Sequence, residues 1–368
     1  MKKLFVILGT RPEIIKASPI INLSKKNKNF KEFVIFTGQH SSKNMSKDFF
    51  KFFNIKYDFK LNVDKRLNLT QKYSRIINGL DKLFKKQKPD AILVFGDTLS
   101  ALAGSQTAML NKIPVFYFES GLRTYDDLNP WPEEIFRKLI SRFANFHFAP
   151  TFDNKKNLIK ENYDKNKIFV TGNTVIDSVK KILKEKKFSK KISLLEKKLR
   201  VNLNRTVLLT IHRREIIGNK LEIICNDIIK FVKSNPTYYI IVPIHPNPEI
   251  KSFIKSKFKK LKKNIKIIEP LNYPLFINLC KSVFLIMTDS GGVQEESTIL
   301  KKRIIVLRTT TERPEPINYN IFQTKILKNN IFKLMNKISK KKKIRKIKFF
   351  FGNGNSSKKI IQIINRKI

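Results

Sequence analysis

Short apolar runs alternate along this chain with longer segments in which apolar residues recur every three or four positions. The short runs end at turn-forming residues and are typical of buried parallel strands, whereas the longer segments are typical of amphipathic helices. In the first half the pattern predicts strands at residues 3–8, 33–36, 90–95, 115–118, 146–149 and 167–170. It predicts helices at residues 14–25, 69–85, 100–110 and 154–162, and a further helix that opens at residues 131–134.

The same alternation restarts in the second half of the chain. It predicts strands at residues 207–210, 239–243, 265–268, 283–287 and 304–307. Helices are predicted at residues 221–233, 293–300, 329–339 and 358–367. Between the two series, residues 180–204 are rich in lysine and contain neither Gly nor Pro, which predicts an interdomain helix and linker.

Strands that alternate with helices predict parallel sheets with helices on both faces. A chain of 368 residues is long enough for two domains of about 100–200 residues each. The pattern therefore predicts an α/β protein with two Rossmann-like domains that face a central cleft. We expect an N-terminal domain at residues 1–172, a C-terminal domain at residues 173–350, and a C-terminal helix within residues 351–368 that packs back on the N-terminal domain.

The charge of the chain is strongly positive. Its net charge of +47 arises from 76 basic and 29 acidic residues, which at face value predicts a polyanion partner such as nucleic acid or an anionic membrane. Most of the excess is lysine, however, spread over linkers and helix faces and accompanied by many Ile, Asn and Phe residues and few Gly. We therefore interpret the charge as solvated surface and compositional bias, with no specific nucleic-acid partner.

The cysteines and the lengths of the apolar runs indicate the cellular compartment of the protein. Cys225 and Cys280 both lie in apolar runs and lack CxxC spacing, which predicts inert core thiols and no disulfide framework. The first apolar run is too short for a signal peptide, and no stretch approaches the ~18 apolar residues of a membrane span. We expect a cytoplasmic protein that does not insert into a membrane.

One stretch has the features of a phosphate-binding turn. The apolar run at residues 283–287 stops at Asp289-Ser290-Gly291-Gly292, and a helix follows. Backbone N–H groups at the positive end of a helix bind phosphate without a dedicated cation. Glu296 lies about one turn into this helix, where its carboxylate could accept a hydrogen bond from a ribose hydroxyl. An ordinary strand-to-helix turn is the alternative interpretation.

Polar residues follow the predicted strands in both halves. They are Arg11, His40, Asp97 and Glu119 in the first half and His212, His245 and Ser290 in the second. In open α/β sheets the ligand site lies beyond the carboxyl ends of the strands. A single polar residue there is an ordinary cap, but the repetition predicts a cleft. Arg11 and Lys16 also stand around a predicted helix N-terminus, a second position suited to an anion.

Eight motifs, in collinear order over essentially the whole chain, resemble the non-hydrolysing UDP-N-acetylglucosamine 2-epimerase family. They are Gly-Thr-Arg-Pro-Glu-Ile-Ile-Lys (9–16), Gly-Asp-Thr (96–98), Glu-Ser-Gly-Leu-Arg-Thr (119–124), Trp-Pro-Glu-Glu (131–134), Thr-Gly-Asn-Thr-Val-Ile-Asp (171–177), His-Arg-Arg-Glu (212–215), Asp-Ser-Gly-Gly-Val-Gln-Glu-Glu (289–296) and Thr-Glu-Arg-Pro-Glu (311–315). The resemblance implies the GT-B-type glycosyltransferase fold, with UDP held mainly by the second domain.

The resemblance also implies a reaction. The family inverts C2 of the sugar by eliminating UDP to give 2-acetamidoglucal and adding UDP back with the proton on the other face. This implies an isomerase that interconverts UDP-N-acetylglucosamine and UDP-N-acetylmannosamine for the synthesis of cell-surface polysaccharide precursors. It implies a UDP-sugar substrate, a homodimer, and no nicotinamide, flavin or metal cofactor. The sequence contains no GxGxxG loop and no His/Cys cluster with ligand spacing, which agrees with the last point.

Catalytic roles carry over from the family residue by residue. Asp97, Glu119 and Glu133 match the catalytic acidic positions, and His212 matches a histidine that steadies the leaving pyrophosphate. Carboxylates in a closed cleft are suited to proton transfer at C2. Two of these residues have a structural alternative, because Asp97 could cap a helix and Glu133 stands in a first helical turn that favours acidic residues. Glu119 ends a buried strand and is harder to explain structurally.

Binding roles carry over in the same way. The substrate-binding positions implied are Arg11 and Lys16 at the first helix, Ser290, Gly291 and Gly292 in the phosphate loop, Glu296 at the ribose, Arg313 near the phosphate or sugar, and Phe276 on the uracil ring. His245 is expected only to line the cleft. Phe276 could instead be an ordinary core residue.

The chain departs from the family pattern in places. The residue before His212 is Ile211 where the family usually has Gly, and Ile216 stands at a position that is commonly polar. Residues 37–48 lack the Met-Leu-Asp-Gln pattern of allosterically activated bacterial members and look closer to relatives that epimerise a UDP-diacetamido-uronic acid sugar. A hydrolysing epimerase, a glycosyltransferase on the same fold and a polyanion-binding protein are the other open alternatives.

Overall fold

The computed structural model describes residues 1–39, 43–64, 66–213, 216–244, 247–308, 312–314, 320–340 and 349–368. Contacts divide the chain into two compact units. Unit 1 comprises Met1–Ser178 together with Phe351–Ile368, and unit 2 comprises Val179–Phe350.

Unit 1 is built, among its described residues, on a seven-stranded parallel sheet. Its strands are β1 (Lys2–Leu8), β2 (Phe30–Phe36), β3 (Phe59–Lys60), β4 (Ala91–Phe95), β5 (Val115–Phe118), β6 (Phe146–Ala149) and β7 (Ile168–Val170). Its helices are α1 (Arg11–Ser24), α2 (Lys43–Phe53), α3 (Leu69–Gln87), α4 (Leu99–Leu110), α5 (Glu133–Phe143), α6 (Phe152–Lys160) and, after the chain returns from unit 2, α14 (Ser356–Lys367). Helix α7 (Val175–Lys184) runs through the boundary at residue 178.

Unit 2 contains a second parallel sheet, six-stranded in the part of the chain that is described. Its strands are β8 (Thr206–Thr210), β9 (Tyr239–Pro243), β10 (Ile265–Ile268), β11 (Leu285–Thr288), β12 (Arg303–Val306) and β13 (Ile321–Gln323). Its helices are α8 (Lys186–Leu199), α9 (Asn219–Ser234), α10 (Pro248–Phe258), α11 (Tyr273–Ser282), α12 (Gly291–Leu300) and α13 (Asn330–Ser339).

The central strands form because their residues are apolar on both faces. All five residues of β4 are buried, as expected for a parallel strand covered by helices on each side. Residues of β1, β4 and β5 pack in one core cluster with residues of α3, α4 and α5, and an equivalent cluster in unit 2 joins its strands to α9, α10 and α13. The burial of these clusters is the main source of stability in each unit.

Polar side chains fix where the helices begin. Thr98 caps α4 by accepting from the backbone N–H of Ala101, and Asn272 caps α11 by accepting from that of Leu275. Ser290 caps α12 in the same way. Each cap satisfies an N–H group that has no partner within its helix, so the strand-to-helix turns have defined geometry.

The strand order places one switch point in each sheet. The order is β3-β2-β1-β4-β5-β6-β7 in unit 1 and β10-β9-β8-β11-β12-β13 in unit 2, so the chain winds outward in opposite directions from β1/β4 and from β8/β11. Ligands of open α/β sheets bind at such points, beyond the carboxyl ends of the strands. The loops after these four strands carry Arg11, Asp97, His212 and Ser290.

The predicted α/β class with two parallel sheets is confirmed, and every predicted strand overlaps a strand of the structure. The sequence did not predict the short strands β3 and β13 or the helices α2, α7, α10 and α11 as elements. Two- and three-residue strands leave no periodic signal. The predicted interdomain helix is interrupted, because α7 ends at Lys184 and α8 begins at Lys186.

Cys225 and Cys280 are free and buried, as the sequence predicts. Burial raises the pKa of the Cys225 thiol to about 12 and that of Cys280 well above its ordinary value, so both stay protonated and unreactive near neutral pH. Within the described ranges, no helix is both long enough and apolar enough to cross a bilayer.

The C-terminal segment completes unit 1. The backbone N–H of Asn173 donates to the carbonyl of Phe351 at 2.8 Å, and Asp177 Oδ1 accepts from the N–H and the hydroxyl of Ser357 at 3.1 and 2.6 Å. Gly172 has a φ of +82°, and a Cβ there would lie 2.9 Å from the Phe351 carbonyl oxygen, so the segment approaches the backbone too closely for a side chain. Helix α14 then packs on α1.

Candidate active site

Glu119 is the most constrained of the candidate residues in unit 1. It follows β5, has a φ of +66°, and is only 2% exposed. Its Oε2 lies 2.5 Å from Lys16 Nζ, and its Oε1 accepts from Asn173 Nδ2 at 2.8 Å. A left-handed backbone is unfavourable for a residue with a Cβ and persists where the surroundings hold it, which is common at functional sites.

Asp97 follows the neighbouring strand β4 and is anchored on one side only. Its Oδ2 accepts from Nε and Nη2 of Arg137 at 2.9 and 2.6 Å. Within the described residues all of its hydrogen bonds fall on Oδ2, and the side chain is 29% exposed, so Oδ1 is available to a ligand. Gly96 brings the two acidic loops close, because a Cβ at this position would lie 3.1 Å from Glu119 Oε2.

Helix α5 supplies the third predicted carboxylate and the cation that holds Asp97. Glu133 is the first residue of this helix and is half-buried. The adjacent Glu134 is fully buried, accepts from the backbone N–H groups of Thr124 and Tyr125 at 3.0 and 3.1 Å, and pairs with Arg137 at 2.7 Å. Glu134 therefore fixes the guanidinium that in turn fixes Asp97.

Glu13 links the first helix to the Asp97 loop. Its Oε2 accepts from the backbone N–H groups of Gly9 and Thr10 at 2.7 and 2.6 Å, and its Oε1 accepts from the hydroxyl of Thr98 at 2.6 Å. Burial raises its pKa from 4.5 to about 7, although these hydrogen bonds oppose the rise. Because Arg11 begins the same helix, Glu13 connects the turn before Arg11 with the turn after Asp97.

In unit 2, His212 is held by Asp289. The two loops lie side by side because Thr210 at the end of β8 pairs with Thr288 at the end of β11. Asp289 is fully buried; its Oδ2 accepts from the backbone N–H groups of His212 and Arg213, both at 2.8 Å, and its Oδ1 lies 2.6 Å from His212 Nδ1. Burial alone raises the pKa of Asp289, but the close contact with His212, the charge of that ring and the two backbone amides hold the pKa below its ordinary value.

The Ser-Gly-Gly turn opens α12 as the sequence predicts. Ser290 is the N-cap, and Gly291 and Gly292 are the first two helical residues. A Cβ on Gly291 would lie 2.6 Å from Arg313 Nη1, whereas a Cβ on Gly292 would meet only Ser290 Oγ at 3.8 Å. Arg313 donates in addition to Glu295 and Glu312. A fixed guanidinium thus packs directly against the positive end of the helix.

The residues proposed for the nucleoside lie on α11 and α12, which pack together. Glu296 is buried, and its Oε1 accepts from the hydroxyl of Tyr273 at 2.6 Å. Tyr273 begins α11, and Phe276 stands one turn further along the same helix and is half-buried. The structure therefore connects Phe276 and Glu296 through Tyr273, which the sequence did not single out as a site residue.

The two units group the candidate residues by chemistry. Unit 1 holds carboxylates beside fixed cations: Glu119 with Lys16, and Asp97 with Arg137. Unit 2 holds an imidazole, a helix N-terminus and a guanidinium, a combination that binds anions. Proton transfer and anion stabilisation are the chemical functions these groups can supply. Within the described ranges, no three His, Cys, Asp or Glu side chains are placed to hold a metal ion.

Several residues at these positions were missed by sequence reasoning. They are Glu13, Arg137, Asn173, Tyr273 and Asp289. Most of them lie within or beside the quoted motifs, but their side chains act on neighbours that are far away in sequence. His40 and His245 lie outside the described residues, as do parts of the motifs at 212–215 and 311–315.

Comparison with known proteins identifies close relatives. The sequence profile described as UDP-N-acetylglucosamine 2-epimerase matches residues 22–365. The UDP-N-acetylglucosamine 2-epimerase of Campylobacter jejuni is 37% identical over 376 residues, which covers 99% of this chain and 97% of that protein.

Solved structures agree with the sequence matches. The UDP-GlcNAc 2-epimerase from Neisseria meningitidis bound to UDP-GlcNAc superposes with a TM-score of 0.90 at 36% identity, covering 100% of both chains. The Methanocaldococcus jannaschii UDP-GlcNAc 2-epimerase in complex with UDP-GlcNAc and UDP gives a TM-score of 0.85 at 38% identity, covering 99% of both chains. These similarities confirm the GT-B-type fold that the sequence predicts.

Proposed function

Because the chain belongs to the UDP-N-acetylglucosamine 2-epimerase family, we propose that it interconverts UDP-N-acetylglucosamine and UDP-N-acetylmannosamine without hydrolysis. The observation that carries this proposal is the pair of anchored carboxylates, Glu119 and Asp97, at the ends of adjacent strands. The bound UDP-GlcNAc in the relatives from Neisseria meningitidis and Methanocaldococcus jannaschii supports the choice of substrate.

The reaction proceeds by elimination and re-addition. A carboxylate accepts the proton from C2, the C–H electron pair forms the C1–C2 double bond of 2-acetamidoglucal, and the C1–O electron pair leaves with UDP. Re-addition of UDP to C1 with proton delivery to the opposite face of C2 completes the inversion. Two carboxylates meet this need because one accepts a proton where the other donates.

Asp97 and Glu119 are the proposed proton carriers. Arg137 holds Oδ2 of Asp97 and leaves Oδ1 for the substrate, while Lys16 and Asn173 hold both oxygens of Glu119 in place. Such fixed positions shorten the path to the reactive geometry. Glu133, at the start of α5, serves in proton transfer or in positioning the sugar.

The leaving diphosphate is stabilised by groups that supply positive charge or N–H dipoles. In unit 2 these are His212, the turn formed by Ser290, Gly291 and Gly292, and Arg313; in unit 1 it is Arg11. Preorganised donors of this kind act where charge develops in the transition state. Glu296 binds the ribose and Phe276 packs on the uracil ring.

Hydrogen exchange tests this function directly. The protein is incubated with UDP-N-acetylglucosamine in deuterated water and followed by proton NMR. We expect UDP-N-acetylmannosamine that carries deuterium at C2. Stoichiometric free N-acetylmannosamine with UDP contradicts the proposal and indicates the hydrolysing reaction. Turnover of a UDP-diacetamido-uronic acid sugar alone corrects the substrate and keeps the reaction type.

Variants of the two carboxylates test whether they transfer the proton at C2. Asp97→Asn and Glu119→Gln remove a proton carrier at nearly constant size. We expect both to bind UDP within a few-fold of the wild type by calorimetry and to lose exchange at C2. Exchange at the wild-type rate in either variant removes that residue from the mechanism.

We also propose that the protein acts as a cytoplasmic homodimer whose product enters cell-surface polysaccharide synthesis. Membership of the family supports this assignment. Light scattering on the purified chain checks the dimer, and loss of surface polysaccharide in a deletion strain checks the role. A monomer in solution or an unchanged surface contradicts the corresponding part of the proposal.

A further inference from the structure

The two carboxylate oxygens of Asp289 contact different groups and have different roles. Oδ2 accepts from the backbone N–H groups of His212 and Arg213 and so fixes the loop after β8. Oδ1 lies 2.6 Å from His212 Nδ1 in an ion-pair contact, although within the described residues it accepts no aligned hydrogen bond. Asp289 is fully buried, whereas the side chain of His212 is 42% exposed. A buried carboxylate therefore orients a ring that reaches the surface.

The chemistry of this contact determines where the ring carries its proton. A nitrogen lone pair 2.6 Å from a carboxylate oxygen would be repelled by its charge, so the imidazole nitrogen that faces Asp289 must carry hydrogen. The protonation of Nδ1 in turn determines whether the second nitrogen, Nε2, carries a hydrogen. A neutral ring with hydrogen on Nδ1 has a lone pair on Nε2, and Nε2 gains an N–H only when the ring becomes imidazolium.

We propose that Asp289 is a positioning residue that keeps neutral His212 in the Nδ1–H form, so that Nε2 donates to an anion only together with a positive charge. This inference rests on the proposed function, in which His212 meets the leaving diphosphate. A charge-assisted N–H···O bond is about twice as strong as a neutral one.

The alternative for Asp289 is a purely structural one, in which it serves only to hold the loop after β8. Both interpretations predict that loss of the side chain harms the protein. They differ in the proton of the ring, because a loop anchor leaves both neutral forms of His212 accessible. The decisive measurement is therefore the tautomer of His212.

Nitrogen-15 NMR of the full-length protein labelled at histidine measures this tautomer. The chain has four histidines, and the spectrum of His212→Gln assigns the signals of His212 by their disappearance. At a pH where the ring is neutral, we expect a protonated signal from Nδ1 and an unprotonated one from Nε2. The reverse assignment, or an averaged pair of signals, overturns the proposal without any variant of Asp289.

Asp289→Asn tests whether the carboxylate of Asp289 sets the tautomer of His212. The carboxamide oxygen can still accept from the N–H groups of His212 and Arg213, and this places the NH₂ group against Nδ1. The amide cannot rotate, since its NH₂ would then face two backbone donors. We expect the hydrogen of neutral His212 to move to Nε2, and kcat to fall about 10-fold to 100-fold with KM within a few-fold.

Thr210→Val is the matched control for Asp289→Asn. It removes the hydroxyl that donates to Thr288 at the same pair of strand ends, 2.7 Å away, and within the described residues this hydroxyl makes no hydrogen bond to His212 or Asp289. We expect the wild-type tautomer and a nearly unchanged kcat. If Asp289→Asn keeps the Nδ1–H form, or if both variants lose the same activity, Asp289 is only a loop anchor.

The outcomes separate this inference from the proposed function. The tautomer is measured without turnover, so the expected spectra can appear even if no UDP-sugar is converted, which refutes the function alone. Conversely, deuterium incorporation at C2 together with an Nε2–H form in the wild type refutes the role of Asp289 alone.

Discussion

Glu119 and Lys16 form a 2.5 Å ion pair in which the lysine side chain is 14% exposed and the glutamate side chain 2% exposed. Glu119 has a φ of +66°, so its backbone conformation as well as its side-chain rotamer sets the direction of the carboxylate. Asn173 holds the second oxygen. A group fixed from three directions has little freedom to leave the position from which it would exchange a proton.

Removal of the cation from this pair is expected to destabilise unit 1. Lys16→Met leaves the buried carboxylate of Glu119 without its counter-charge, which costs about 3–5 kcal/mol of unfolding free energy. Urea denaturation at neutral pH measures the loss. Lys85→Met is the control, because its pair with Asp81 is exposed and is expected to contribute less than about 1 kcal/mol.

A double variant distinguishes the contribution of the Lys16–Glu119 ion pair from the effects of changing either residue alone. Lys16→Met combined with Glu119→Gln has no unpaired buried charge, and we expect it to recover most of the stability lost in Lys16→Met. A double variant that is less stable than either single one shows that the pair is not the source of the effect.

Arg137 is expected to affect turnover more than binding. Arg137→Lys replaces the two N–H groups that converge on Asp97 Oδ2 by a single ammonium and releases the carboxylate from its fixed orientation. We expect kcat to fall at least about 10-fold at a KM within a few-fold. Arg66→Lys, at the exposed pair with Asp64, is expected to change neither. A rise in KM at constant kcat assigns Arg137 to binding instead.

The two glycines of the α12 turn are expected to respond differently to alanine. Gly292→Ala meets only Ser290 Oγ at 3.8 Å, so the fold is kept while the methyl group blocks the approach of phosphate to the backbone. We expect UDP affinity to fall on the order of 10-fold, as for the loss of one hydrogen bond to a charged group. Isothermal titration measures it, and unchanged affinity places the phosphate elsewhere.

Gly291→Ala is the contrasting change. Its Cβ would lie 2.6 Å from Arg313 Nη1, a buried guanidinium that also pairs with Glu295 and Glu312. We expect a loss of about 1–3 kcal/mol in unfolding free energy from overpacking, which Gly292→Ala does not show. Equal stability of the two variants contradicts the close packing of Arg313 on the turn.

Glu13 is expected to make stability depend on pH. Burial raises its pKa from 4.5 to about 7, so between these values the folded protein binds more protons than the unfolded chain. Its contribution is therefore complete below pH 4.5 and is lost as the pH rises through 7, by about 3 kcal/mol from the shift. Glu13→Gln mimics the protonated form and removes this dependence. Parallel pH profiles of unfolding free energy for the two proteins refute it.

The strands and the phosphate turn were accessible from the sequence because their signals are local. Apolar runs identified β4 and β11, and two glycines after an apolar run identified the turn at Ser290. Helix α2 was missed because polar residues fill most of its first half and its four Phe residues fall within its last five positions, which is too short a run to show a helical period.

The partners of the site residues could not be derived from the sequence. Glu119 and Asn173 are 54 positions apart, and Asp97 and Arg137 are 40 positions apart, so each pair exists only once the sheet has formed. The contact of Asp289 could not be derived from the sequence for a different reason. An Asp before Ser-Gly-Gly is typical of a turn, and only its contact with His212 shows a second use.

The path of the chain also determines when Glu119 acquires its full surroundings. During synthesis, all of unit 2 leaves the ribosome before Phe351, whose carbonyl accepts from the backbone of Asn173. The asparagine that holds Glu119 is therefore locked by a segment that is translated after all of unit 2. A nascent chain that has already folded unit 2 still lacks this restraint on the surroundings of Glu119.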